Sequence, residues 1–370
     1  MSSGVTSRVG RLERIRAELG EGGARALALA PSDNLLYAVG FAPTADERAQ
    51  VLLLTADGAA LVVPSLNAAQ TAGHVPGVPI FSWRDDEGPR GAFEAAVASL
   101  GGTLSEVAVD PEMRAETLLQ LLEVTGGRAV SGAPVLRAAR EIKDADEIAA
   151  LQRSSDTADH AMKAAFGTCA SGASEAEVAQ AIAAAFREAG ADAVSFTIVG
   201  AGANGAFPHH HTSGRVLEVG DAVVIDIGGK LGGYSSDITR MVHIGEPSAR
   251  YREVHGVVER AVQAGMAAAR PGATCADVDR AARTVITEAG FGEQFVHRTG
   301  HGLGLSVHEP PWIMAGEDVP IRAGMVFSIE PGIYLEGEFG VRLEEIVHVT
   351  DTGCERFSSL PRDVHIASAC

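Results

Sequence analysis

The feature that most constrains this chain is its likeness to itself at an offset of 100 residues. Gly172-Ala-Ser-Glu-Ala-Glu177-Val178, running on to Glu188-Ala-Gly190, returns as Gly272-Ala-Thr-Cys-Ala-Asp277-Val278, running on to Glu288-Ala-Gly290. Each copy opens on a helix-start signal, Ser174 with Glu177 and Thr274 with Asp277, and closes on a glycine, the usual helix stop. The likeness extends to two strand-like segments. Gly220-Asp-Ala-Val-Val-Ile-Asp226-Ile-Gly228 matches Gly324-Met-Val-Phe-Ser-Ile-Glu330-Pro-Gly332, with a carboxylate six residues after the first glycine in both. Duplicated α-β halves facing each other place Asp226 and Glu330 in equivalent positions about a pseudo-twofold axis. An acidic pair of that kind is a cradle for two metal ions.

The neighbourhood of Asp226 supports this. Ala222 to Ile225 reads as a buried strand, and a carboxylate directly after four apolar residues is costly to bury unless a partner neutralises it. After a glycine turn comes Asp237, and two strands returning side by side would bring it to Asp226, where a divalent cation holds both ionised. Alone, these residues also fit an Asp226 that caps a turn and an Asp237 in a solvated loop. The rest of the chain adds Glu330, His301 in Thr-Gly-His-Gly-Leu-Gly and Glu344 in Val-Arg-Leu-Glu-Glu. Carboxylates with one imidazole suit borderline-hard ions, Mn²⁺ or Co²⁺ with Zn²⁺ as a further choice, and their charge balances two divalent ions.

At 370 residues the chain is too long for one ordinary core, so two domains are expected. A net charge of −18 and a pI near 5.1 argue against nucleic acid or an anionic membrane as partner. Cys169, Cys275, Cys354 and Cys370 show no CxxC spacing and read as reduced thiols of a cytoplasmic protein. The first twenty residues lack the apolar core of a signal peptide, and no uninterrupted apolar run is long enough to span a bilayer.

Along the chain, Leu12, Ile15 and Leu19 have helical spacing. Apolar runs at 26–30, 51–54, 60–63, 79–83 and 107–109, with helical patterns at 92–100 and 117–124, predict an α/β domain on a mixed sheet. This domain offers no motif that translates into chemistry. The turn-rich Ser131 to Pro134 sets the boundary, giving domains 1–133 and 134–370. A long helix is expected over Arg140 to Phe166, packing Ile142, Ile148, Leu151 and Met162 and turning Lys143, Asp144 and Glu147 to water.

From roughly residue 140 to 362 these motifs resemble the pita-bread metallopeptidases, the family of methionine aminopeptidase, aminopeptidase P, prolidase and the metal-free creatinase. The resemblance implies an α/β N-terminal creatinase-like domain and an α+β pita-bread catalytic domain with an internal pseudo-twofold repeat. It implies that Asp226 binds one metal, His301 and Glu330 the other, and that Asp237 and Glu344 bridge the two. Creatinase-like members lack the complete set; here all five positions are filled. It implies further that His209, in Phe-Pro-His-His-His, and His308, seven residues after His301, contact the scissile carbonyl or its tetrahedral intermediate. His209 is preferred to His210 and His211 for its place after Pro208 and its distance to Gly220-Asp221. Arg342 resembles the family arginine near the bridging glutamate, and also fits a salt bridge that orients the ligands.

What the resemblance implies for activity is hydrolysis of Xaa-Pro bonds by a two-metal site that makes hydroxide from water, with Glu330 carrying the proton to the leaving nitrogen. The two-domain layout fits prolidase and aminopeptidase P rather than a simple methionine aminopeptidase, and of those two the reading taken is prolidase, a dipeptidase. An aminopeptidase P acting on longer Xaa-Pro peptides is the alternative, and a non-catalytic relative or one that cuts another amide is a third. Substrates would be small proline-containing peptides and the assembly a homodimer. A dipeptidase must bind the free carboxylate on proline, for which Arg48 and Arg342 are the candidates.

Overall fold

The computed structural model describes residues 3–22 and 25–369; Cys370 lies outside them. The chain divides into two compact units, Met1–Arg140 and Glu141–Cys370.

The first unit is an α/β domain on one mixed sheet. Its strands are β1 (Ala26–Leu29), β2 (Val51–Leu54), β3 (Ala59–Pro64), β4 (Ile80–Trp83), β5 (Glu106–Val109) and β6 (Arg128–Ser131), in the order β4-β3-β2-β1-β5-β6. β1 and β2 are buried along their whole length, which is why they read as unbroken apolar runs rather than alternating ones. The helices are α1 (Ser3–Gly22), α2 (Asp33–Val39), α3 (Ser65–His74), α4 (Arg90–Ser99), α5 (Ala115–Thr125) and α6 (Ala133–Arg140). Ile15 and Leu19 of α1 are buried, as their spacing predicts. β6 has no apolar signature because it is a partly exposed edge strand, so the turn residues around it dominate the sequence. α6 stays with this unit beyond residue 133: Leu136 and Ala139 are buried, and the Tyr37 hydroxyl donates to the Ala139 carbonyl at 2.7 Å.

In the second unit the 100-residue repeat becomes two helix pairs, α7 (Ala145–Thr168) with α8 (Glu175–Glu188) and α9 (Ala249–Ala268) with α10 (Cys275–Glu288). Both expected capping boxes form, Ser174 with Glu177 and Thr274 with Asp277. One helix pair packs on a sheet of β7 (Ala193–Ala201), β8 (Ala222–Leu231), β9 (Tyr234–Ser235), β10 (Ile238–Ile244) and β18 (His365–Ala367). The other packs on β11 (Gly300–Gly302), β12 (Glu309–Ile313), β13 (Val326–Ile329), β16 (Glu345–Val349) and β17 (Cys354–Arg356). A two-stranded ribbon, β14 (Gly332–Leu335) with β15 (Phe339–Arg342), completes the unit. Equivalent residues fill equivalent cores: Val178, Ile182 and Phe186 pack under β8, while Val278, Ala282 and Ile286 pack under β13.

The region before α7 departs from expectation. The helix does not run through from Arg140; Asp144 caps a new start in a box with Glu147. Residues between the helices lie extended, with Ile142 bridged to Met325 and the Lys143 amide donating to Gly324 O at 2.9 Å. Lys143 and Glu147, expected in water, are buried and paired: Lys143 Nζ meets Glu309 Oε1 at 2.9 Å, and Tyr234 OH donates to Glu147 Oε1 at 2.9 Å. Charged residues at helical spacing look like a solvated face in sequence, and only their tertiary partners show otherwise.

The first turn of α8 carries a buried acid. Glu175 accepts from the Ala201 amide, Asn204 Nδ2 and the Ser213 amide, each at 2.9 Å, from Ser213 Oγ at 2.7 Å, and meets His210 Nε2 at 3.0 Å. Burial opposes the charge, but these donors hold the carboxyl at about 2. The residue one repeat later is Cys275, which is buried in the apolar core instead. Glu175 therefore ties down a loop, residues 201 to 213, with a carboxylate that the other half replaces by a thiol.

Since the folded carboxyl sits below its ordinary value, Glu175 stabilises the fold above the unfolded pKa and loses that contribution as pH falls from ~4.5 toward about 2. Glu175→Gln should cost about 2 kcal/mol at neutral pH. The gap between wild type and variant in urea denaturation should close over that acid range; a gap independent of pH would contradict the assignment.

Candidate metal centre

Strand alternation decides where Asp226 points. Along β8, Val223, Ile225 and Ile227 enter the core beneath α7 and α8, so Ala222, Val224 and Asp226 face the opposite side. β10 returns antiparallel through a turn at Gly232 and Gly233, whose φ angles of 61° and 82° suit glycine. Thr239 stands directly across from Asp226, and Asp237, two residues earlier, shares its face. The two aspartates thus come together as the sequence suggested.

The other half contributes from three places. Gly300 and Gly302 flank His301 on β11, and a Cβ on either would collide with backbone of Ser328 or Pro310, so the glycines let β11 press between its neighbours. Glu330 follows the end of β13 and Glu344 precedes β16. His301 Nε2 lies 3.2 Å from Glu330 Oε1 and 3.7 Å from Asp237 Oδ2. Asp237, His301 and Glu344 each bring a ligand atom within 4.8 Å of the others.

Each of these groups is held from behind. His301 Nδ1–H donates to Gly302 O at 3.1 Å, which turns Nε2 toward the carboxylates. Ser328 Oγ accepts from the His301 amide at 2.9 Å and donates to Glu330 Oε1 at 3.0 Å. Thr239 Oγ1 accepts from Arg342 Nε at 3.3 Å and donates to Glu344 Oε2 at 2.8 Å. Arg342 Nη2 donates to Asp226 Oδ2 at 2.6 Å, and its Nη1 reaches Tyr334 OH at 2.9 Å. Arg240, fully buried, donates to the backbone carbonyls of Thr239 and Glu344. After all this, Asp226 Oδ1 and Glu344 Oε1 remain buried without a hydrogen-bond partner.

The electrostatics set these carboxyls apart. Burial first, then the charges of Glu344, Asp226 and Glu330, push Asp237 well above the usual carboxylate range. Glu344 moves the same way, for burial and for Glu330 and Asp226. Glu330 escapes despite its burial, brought down to about 2 by the hydrogen bond and charge of His301, then by His297 and Arg342. Two orphaned carboxylate oxygens beside carboxyls under mutual repulsion are what a hard or borderline divalent ion relieves. The donor set therefore fits metal, with Asp226, Asp237, His301, Glu330 and Glu344 as the residues present to hold it.

His308 packs edge-on against His301, ring centroids 4.2 Å apart. Desolvation, then the charges of His301 and Arg298, lower its imidazole to about 4, and His209 is near enough to add to the effect. Of the three consecutive histidines, His210 is taken by Glu175, while His209 is exposed. Arg342 Nη1 also contacts Pro208 O at 3.3 Å, tying the His209 loop to Asp226.

Arg342 is thus committed inside the protein, and Arg48, in the first unit, is committed to Asp85, Asp46 and Glu47. Sequence reasoning missed Thr239 and Ser328, although each sits two residues from a named acid on the same strand face and period-two spacing would have found both. It missed Glu175, Arg240 and His297, which pair with residues well away in sequence, and Tyr334, which joins Arg342 to His297.

Among the described residues no helix is long and apolar enough to cross a membrane. Metallopeptidase family M24 matches residues 149–351, and the creatinase/prolidase N-terminal domain matches residues 11–142. The chain is 41% identical over 359 residues to a probable dipeptidase PepE of Mycobacterium tuberculosis, covering 96% of this chain and 95% of the relative. It superposes on a prolidase from Thermococcus sibiricus with a TM-score of 0.91 at 35% identity, covering 96% and 98% of the two chains. For an X-Pro aminopeptidase from Thermotoga maritima the TM-score is 0.85 at 31% identity, covering 96% and 99%. With the pita-bread catalytic unit and its creatinase-like partner both matched, the chain belongs to metallopeptidase family M24 and is a hydrolase.

Proposed function

We propose that this chain is an Xaa-Pro dipeptidase working with two divalent ions, Mn²⁺ for preference, held by Asp226, Asp237, His301, Glu330 and Glu344. The observation that carries the reading is the cluster of Asp237, His301 and Glu344, with Glu330 3.2 Å from His301 and with buried, unsatisfied carboxylate oxygens on Asp226 and Glu344. The dipeptidase and prolidase names of the relatives support the substrate class. The aminopeptidase reading has its own support in the likeness to the Thermotoga protein.

Bound divalent ions would supply Lewis acidity and an acidified water. The chain supplies the rest. Asp237 and Glu344 would help to hold both ions, with Glu344 aimed by Thr239 and Asp226 by Arg342. Glu330 is the carboxylate that accepts the proton of the attacking water and passes it toward the proline nitrogen, which has no hydrogen of its own in the peptide. His308 and His209 stand at the rim, where neutral or cationic imidazoles donate to the oxyanion that forms on the scissile carbonyl.

Three outcomes are expected. Chelation should abolish cleavage of an Xaa-Pro dipeptide and Mn²⁺ should restore it, with an Xaa-Pro-Yaa tripeptide cut poorly; preference for the tripeptide would favour an aminopeptidase, and no cleavage in any metal state would end the peptidase reading. Asp237→Asn and Glu344→Gln should each remove turnover while circular dichroism stays that of the native fold, and near-normal turnover in either would refute its bridging place. Thr239→Val should weaken Co²⁺ binding by about 10–100-fold in a titration followed by cobalt absorption, with Thr239→Ser restoring it.

A further inference from the structure

We propose that Arg298, lying on Trp312, is the residue that binds the free carboxylate of a dipeptide substrate and so sets the length preference of the enzyme. The proposal rests on the dipeptidase reading and names what would enforce it.

The two cations expected for this task are spent. Arg342 holds Asp226 and Tyr334, and Arg48 holds Asp85 with two further acids. Arg298 is different. It is half-buried, and among the described residues no carboxylate, carbonyl or hydroxyl takes a hydrogen bond from its guanidinium. Its Cζ lies 4.4 Å from the centroid of the Trp312 ring. Stacking uses the face of a guanidinium and leaves its N–H fork free in the plane, the geometry that grips a carboxylate with two parallel bonds.

The stack sits beside the chemistry. Trp312 is the direct cross-strand partner of His301, so its side chain stands on the same face of the sheet as that imidazole. Arg298 is close enough to Glu330 and to His308 for its charge to bear on both. Proximity matters because the carboxylate of an Xaa-Pro dipeptide is only two bonds beyond the scissile nitrogen. Such a dipeptide carries one anionic group, at its proline end, and an unpaired cation selects that end alone. Burial disfavours the charge on Arg298, Glu330 offsets only part of that, and a bound carboxylate offsets more. A longer peptide replaces the carboxylate with a neutral amide and forfeits the contact.

The test compares Ala-Pro with its C-terminal amide on the manganese-loaded wild type, Arg298→Met and Arg298→Lys. The wild type should prefer the free acid. Arg298→Met should raise KM for the acid by about 10–100-fold with kcat within a few-fold, leave the amide unchanged, and so erase the preference. Arg298→Lys should recover part of it, since an ammonium lacks the planar fork. Equal losses on acid and amide would reduce Arg298 to a structural prop of β11 and overturn the proposal, as would a wild type indifferent to the carboxylate or a variant unchanged on both. A wild type that cuts neither compound would overturn the dipeptidase reading itself, so the two failures are distinguishable.

Discussion

The second unit is organised around repulsion among carboxylates that the fold brings together out of water. Asp237 and Glu344 are nearly inaccessible, and each is raised by the charge of its acidic neighbours as well as by burial. No sheet gathers such groups for stability, because desolvated like charges oppose folding. The surroundings are built to tolerate them: Arg342 faces Asp226, His301 faces Glu330, and two hydroxyls point their protons at Glu344 and Glu330. In both hydroxyl relays the polarity is fixed from behind. An arginine N–H and a backbone N–H can only donate, so Thr239 and Ser328 must donate onward to an ionised oxygen. Each half of the repeat arrived at the same device with a different residue.

The duplication explains both the order and the irregularity. Helix starts, core positions and the strand carboxylates correspond between halves, because each half must bury the same face of a sheet under the same pair of helices. Where the halves need not agree, they diverge. Glu175 gathers five hydrogen-bonding groups to fasten the loop that ends at Ser213, and Cys275 simply packs. A symmetric scaffold thereby carries an asymmetric rim, one side with His209 and the other with His308.

Much of this was legible in the sequence. The repeat gave the helices and their caps, and the apolar run ending at Asp226 gave a strand whose face follows from alternation. What stayed hidden shares one physical cause. Lys143 and Glu147 look solvated because helical spacing says nothing about a partner 166 residues away on another element, and the Lys143–Glu309 pair is such a case. The role of Arg342 was ambiguous for the same reason: its spacing from Glu344 is local, but Asp226 and Pro208 are not. β6 escaped because an edge strand buries too little to need a pattern. Local chemistry was readable; commitments between distant elements were not.

The chain has only two tryptophans, Trp83 and Trp312. The first lies in the core of the amino-terminal unit, its indole donating to Ala49 O at 3.0 Å. The second lies under a guanidinium and across a strand from His301. Each unit therefore carries a single indole, one deep in packing and one on the strand face of His301. The molecule has a built-in optical reporter: the emission of the second indole is sensitive to the guanidinium stacked on it and to the strand face it shares with His301.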